Sequence, residues 1–516
     1  MTEMLSVPWR FLRRLIATKE RAMIHFEESV FTTLRPQIRL SSLVVSPDGQ
    51  HIAYAARLSE DLDSDLKTFD NSDQRMMRLG TVIETKWVCV CDNGVLPGVF
   101  NDIDTIRFSA DSQRVAMVAS CSDGQRVVVN GEPQDKFESI DKSSLVFSPN
   151  SQRVAYIVAS RGTSYAIIDG ERFGPYSRID CVVFSPDSRR TAFTALAIRP
   201  DSACVVCDGK EQLSFTRRVY DPVFSPDSRR LAYVGRNDDN YRVVVDEVPG
   251  HAFSNIQSLQ FSTDSQSLAY IATPSGGETR PESIWHEGNL YEEDFVVINE
   301  KSSASHWRIQ PPLVFHPDGQ QVAFVAGLPP NQYVAIGGYQ SPFYDYALPP
   351  VVLSRDGTRH AFVAVKNSLF YVVIDGKASP YYEGIGEETL AFSSNNEHVV
   401  YEVVHKKKRA IVFDGTRGQS YDAILKGSLQ FSPEGNHFAY VARAGDDFFV
   451  VVDGSESAAY EKFLGQLSFS DPNHAHVFAI RGSQVIRLDL DCDVGGHGRS
   501  LAAKSSAKWI QFANSS

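Results

Sequence analysis

The chain has 516 residues, 42% hydrophobic and 22% charged, an ordinary soluble balance with room for several domains or one long repeat array. Its formal net charge of −12 argues against broad nucleic-acid binding, which needs a basic face. No apolar run reaches membrane-spanning length, and the seven scattered cysteines read as buried, reduced thiols of a cytoplasmic protein.

Residues 1–21 stand apart. Phe11, Leu12, Leu15 and Ile16 recur at helical spacing, with Arg10, Arg13 and Arg14 largely on the opposite side. The pattern predicts an amphipathic helix over about 8–20, capping the rest of the chain. Contact with a membrane surface is the alternative. Residues 22–40 then read as a half-unit of strands, before the first full repeat.

From Val45 onward one unit recurs. An anchor residue, most plainly in Phe184-Ser-Pro-Asp187 and Phe224-Ser-Pro-Asp227, returns at Val45, Phe108, Phe147, Phe261, Phe315, Leu353, Phe392, Phe431 and Phe469. Nine residues after every anchor stands a second large residue: Tyr54, Met117, Tyr156, Phe193, Tyr233, Tyr270, Phe324, Phe362, Tyr401, Tyr440 and Phe478. Each unit predicts four short strands. The anchor strand turns through Ser-Pro-Asp, where proline presets φ, and a second strand follows. A β-branched third strand ends in Asp-Gly, as at Asp169-Gly170 and Asp375-Gly376, which folds a fourth strand back beside it. That fourth strand carries a tyrosine at Tyr176, Tyr382, Tyr421 and Tyr460. Cys204 and Cys207 sit in a third strand, where positions i and i+3 face opposite ways, so their CxxC spacing is not read as a metal pair.

Four antiparallel strands about every forty residues describe a β-propeller blade. The fold class is therefore all-β, an array of about eleven four-stranded blades. Rings usually hold four to eight blades, which favours two tandem propellers, 22–300 with about six blades and 301–516 with about five. One large ring is the alternative, since no linker divides the array. The final unit lacks a fourth strand, and a strand from 22–40 is expected to complete it. Two spacings are long, Val45 to Phe108 and Phe261 to Phe315. The extra residues, about 58–86 and 272–294, fall between second and third strands and are expected to be mobile surface loops.

The motif Phe-Ser-Pro-Asp-[Gly/Ser]-x-x-[Leu/Val]-Ala-[Tyr/Phe] resembles the WD-like repeat of TolB-type propellers, over about residues 40–490. The resemblance implies a propeller and is nearly silent about function.

No Gly-x-Ser-x-Gly elbow, phosphate-binding loop or His-Glu-x-x-His motif occurs, so no catalytic residue, metal site or cofactor is assigned. Asp61, Asp63 and Asp65 begin like a calcium loop, but Leu66 and Ser72 stand where glycine and glutamate belong, so they read as an acidic, solvated insertion. His474 and His476 read as ordinary surface histidines. The basic run Lys406–Arg409 reads as a hairpin tip, with an anion-binding or nuclear-localisation role as alternatives.

Loops joining strands two and three share a face with the blade-to-blade links, so both insertions and the basic run fall on one side. The expectation is a non-enzymatic scaffold that binds a protein or peptide partner there. Asp61, Asp63, Asp65, Arg161, Arg236, Trp285, His286, Lys406, Lys407 and Arg409 are the candidate contacts. A propeller hydrolase or lyase, with its site in the central channel or between rings, is the competing reading.

Overall fold

A computed structural model describes residues 24–34, 38–57, 86–92, 94–198, 202–220, 222–238, 240–275, 284–286, 289–291 and 293–492, the short 284–286 and 289–291 segments by backbone alone. The expected helix over 8–20 and the acidic insertion at 58–85 lie outside these residues. Among the described residues every regular element is a strand or a short 3-10 turn.

The repeat builds eleven antiparallel blades in ten sheets, blades 5 and 6 being joined in one nine-stranded sheet, and every blade but the last is ordered from inner to outer strand as the chain runs. Blades 1 to 4 span 44–95, 102–137, 139–176 and 178–211. Blade 5 begins at 218, and the single strand Val248–Phe261 closes it and opens blade 6, which ends at 302. Blades 7 to 10 span 309–340, 346–378, 384–421 and 423–456. Blade 11 takes three strands from 462–491. Its fourth is His25–Thr33, which pairs antiparallel with Gln484–Asp491, so the half-unit before the repeats completes the last blade.

The nine-residue offset has a simple cause. A strand exposes alternate residues to its two faces, and in a stack of blades both faces are covered. The large residue of each second strand therefore points into a neighbouring blade, and all eleven are buried. Each consecutive pair of blades shares one such core. Between blades 6 and 7 it comprises Ile271, Val296, Ile309, Leu313 and Phe324 among others. An eleventh core joins the ends: Ile52, Tyr54 and Val88 of blade 1 pack on Leu464, Phe478 and Val485 of blade 11.

The expected division near residue 300 has no counterpart in this packing. In two separate rings, blade 6 would close on blade 1; here blade 6 packs on blade 7, and blade 1 on blade 11. The second insertion, expected over 272–294, carries strands among its described residues. Strands Leu268–Pro274 and Glu293–Ile298 extend into it, and Ile284–His286 pairs with Asn289–Tyr291 as a small hairpin.

Candidate interaction face

The two faces of the array are built differently, and the difference begins in the turns. On one face the Ser-Pro-Asp segment wires itself and its neighbour together. In blade 4 the Ser185 hydroxyl donates to Asp187 at 2.6 Å, the Arg189 amide donates to the same carboxylate at 3.0 Å, and the Arg190 amide donates to Ser185 Oγ at 2.9 Å. The Asp187 amide then donates to Ser228 Oγ of blade 5 at 2.9 Å. Four other blade pairs repeat this link, through Ser112, Ser151, Ser188 and Ser265. The serine bonds hold the Asp187 carboxyl below the usual carboxylate range, and the same holds for Asp227, Asp264 and Asp356.

Six residues after the anchor, an arginine ties blades more strongly. Arg153 donates from Nε to Asp169 at 2.7 Å and from Nη1 to the Ser188 and Arg189 carbonyls of blade 4, each at 3.0 Å. Its guanidinium lies 5.1 Å above the Phe184 ring. Arg114, Arg190, Arg230 and Arg359 stack likewise on the next anchor, at Phe147, Phe224, Phe261 and Phe392. The Asp-Gly turn adds a further bond: both residues take positive φ, at Asp169 (51°) and Gly170 (84°), and Asp169 Oδ1 accepts the first amide of its second strand from Val154 at 2.9 Å. Little on this face is left to vary.

The other face carries the blade-to-blade links and the hairpins between second and third strands, and hydrogen bonds place the two together. The link residues Glu138, Asp345, Asp422 and Glu461 accept amides from the hairpins at Arg161, Asn367, Gly445 and Gly482 of their own blades, at 2.6–2.9 Å. The 284–291 hairpin springs from this side of blade 6.

The candidate contacts separate into groups. Arg161 sits at a hairpin tip (φ 52°) with an exposed side chain. Lys406 and Lys407 form another tip (φ 52° and 62°), are exposed, and make no ion pair among the described residues. Lys408 bonds Asp422 of the link into blade 10 at 2.5 Å. Arg409 pairs with Glu402, a buried carboxylate at a strand position that is apolar in most blades. Arg409 is thus committed to an ion pair within its own blade, and replacing it would strand a buried charge. Arg236 lies in blade 5 with its guanidinium 5.1 Å from the Tyr241 ring centre. Trp285 and His286 are placed by backbone only, and Asp61, Asp63 and Asp65 lie outside the described residues.

Of the two histidines read as surface residues, His474 is half-buried and bonds Asp471 at 2.8 Å, whereas His476 is buried between blades 11 and 1. Its ring fills the space beside Gly49, where an added Cβ would lie 1.9 Å from Nε2. All seven cysteines are free thiols. Cys204 faces blade 3 and Cys207 faces blade 5, as their spacing implied, and burial pushes both thiols up to about 11. Among the described residues no three His, Cys, Asp or Glu side chains converge as a metal site, and no helix is long and apolar enough to cross a membrane.

One cluster escaped the sequence reading. Arg178, Arg217 and Arg218 begin the inner strands of blades 4 and 5 on the link-bearing face. The signal was the Arg217-Arg218 pair directly after the short outer segment of blade 4.

Eleven antiparallel blades of mostly four strands, packed face to face from the first to the last and back to the first, define the class of protein: it is a β-propeller. No family model and no curated protein matches the chain. Similar solved structures include a eukaryotic initiation factor, at 13% identity and TM-score 0.39, over 67% of this chain and 95% of that one. The Dos1 propeller follows at 12% identity and TM-score 0.30, over 67% and 90%. TolB from Acinetobacter baumannii stands at 15% identity and TM-score 0.23, over 68% and 78%.

Proposed function

We propose that the chain is a non-enzymatic, cytoplasmic binding scaffold that engages a protein or peptide through its link-bearing face. The observation that carries this reading is the asymmetry of the two faces. One is consumed by serine, aspartate and arginine ties between blades, while the other holds the 284–291 hairpin, the exposed Arg161 tip and the uncommitted Lys406 and Lys407. Variable surface on a rigid frame is where binding residues concentrate. The Phe-Ser-Pro-Asp repeat supports a distant kinship with TolB-type propellers, here drawn into a single circuit of eleven blades.

The test begins with partners captured on the full chain and identified by mass spectrometry, then measured in purified form. Lys406→Ala with Lys407→Ala should slow association several-fold at low salt and less at high salt, because exposed charge acts mainly by steering. Arg409 is left in place because Glu402 needs it. Removing 276–291, which takes out the hairpin and spares the blade strands Leu268–Pro274 and Glu293–Ile298, should weaken binding further. Unchanged kinetics in both folded variants would overturn the assignment.

A further inference from the structure

The inner strands of blades 4 and 5 enter the link-bearing face with arginine. Arg178 opens the strand Arg178–Phe184, and Arg217 and Arg218 stand at the corresponding point of blade 5. Together they line a cleft of about 150 Å³ whose floor includes Thr194, Leu196 and Ala203. All three arginine side chains are exposed.

Their charges are incompletely matched. Asp180 bonds Arg178 and lies 4.0 Å from Arg218, while Arg217 Nε lies 3.3 Å from Asp238 Oδ1. Arg236 is the sheet partner of Arg218 and donates to the Asp238 carbonyl at 2.9 Å. Among the described residues, four guanidiniums therefore share two carboxylates, leaving two positive charges in a chain of net charge −12. Gathering like charges costs free energy unless something compensates them. The floor adds a buried hydroxyl: Thr194 is 4% exposed, and its Oγ1 lies 3.9 Å from Cys181 Sγ.

We propose that this cleft binds a phosphomonoester. Planar guanidinium groups donate in pairs to oxyanions, and a phosphate offers three acceptor oxygens and nearly two negative charges, which matches the local excess. A carboxylate would offer two oxygens and one charge. The phosphate can be carried by a phosphorylated peptide or by a small molecule; either source presents the same group. The site lies in blades 4 and 5, away from Lys406 and Lys407 in blade 9. Its failure would leave the partner-docking reading standing, and the converse also holds.

The test is calorimetric titration of the full chain with phenyl phosphate, with a phosphoserine peptide and with the same peptide unphosphorylated. Binding of both phosphates would point to a small molecule as sufficient; binding of the phosphopeptide alone would assign a peptide source. Arg178→Gln and Arg218→Gln should each weaken binding about tenfold, the worth of a charge-assisted bond. Asp180→Asn should strengthen it, since that carboxylate competes for the same guanidiniums, whereas a merely structural ion pair would give no gain. Arg229→Gln, an exposed arginine of the opposite face, should leave binding unchanged. Failure of both phosphates to bind, or binding by the Arg178→Gln and Arg218→Gln variants as tight as by the unaltered chain, would overturn the proposal.

Discussion

Asp294 stands where two other blades place glutamine. Gln125 and Gln332 accept the amides of Ile140 and Ala347, each in the inner strand of the following blade, at 2.8 and 3.0 Å. Asp294 accepts the Ile309 amide in the same way at 2.9 Å, and also the Thr273 hydroxyl at 2.6 Å. It is only 9% exposed, and burial raises its carboxyl above the usual range although both hydrogen bonds pull the other way. A carboxyl raised on folding favours the folded state when protonated. Its contribution is complete below the unfolded value of about 3.9 and is lost as pH rises through the folded one. Asp294→Asn keeps an oxygen for Ile309 and supplies an amide to Thr273. It should raise stability at pH 7 by on the order of 1 kcal/mol and flatten the pH dependence above about pH 4. Thermal unfolding across pH measures this, and a less stable variant at pH 7 would contradict it. None of this was legible in the sequence, because a residue's partner fifteen positions ahead in the next blade follows from packing. The arginine six residues after the anchor also escaped the sequence reading, because it recurs in only five of the eleven units and its stacking on the next anchor follows from packing.

The strand His25–Thr33 shows what one element does for the whole. It removes the free edge of blade 11, which would otherwise offer unpaired amides to another chain. It also restores a tie used elsewhere: Tyr176 and Tyr421 donate their hydroxyls to Glu211 and Glu456 on the next outer strand, at 3.0 and 2.6 Å. Tyr460 has no such glutamate downstream and reaches Glu28 of this strand at 2.6 Å. Arg481 forks onto the same carboxylate at 2.8 and 2.9 Å, and holds it below the usual carboxylate range, with the Tyr460 hydroxyl adding to the effect. Glu28→Ala should cost about 1 kcal/mol, the upper end for a partly exposed pair. In hydrogen exchange it should deprotect 474–491 while 154–207 stays protected. Equal exchange in both regions would mean that the strand is held by its backbone alone. That a strand from 22–40 completes the last blade was legible, because the final unit lacked a fourth strand. The 284–291 hairpin was not, since its polar pattern gives no two-residue period.

At the scale of the molecule, the repeat and its four-stranded unit were readable because every blade buries the same position. The number of rings was not, since closure joins residues more than four hundred apart in sequence, such as Arg481 and Glu28. The usual limit of eight blades favoured two rings, while the missing linker favoured one. The packing follows the second: an unbroken series of cores runs through residue 300, and the last blade closes on the first. The ties on the Ser-Pro-Asp face link neighbouring blades along that series. A single circuit also sets the function proposed here, because it displays every hairpin and link on one continuous surface. Cryo-electron microscopy of the full chain, viewed down the channel axis, tests this most directly: class averages should show eleven blades around one opening, and two smaller rings side by side would contradict it.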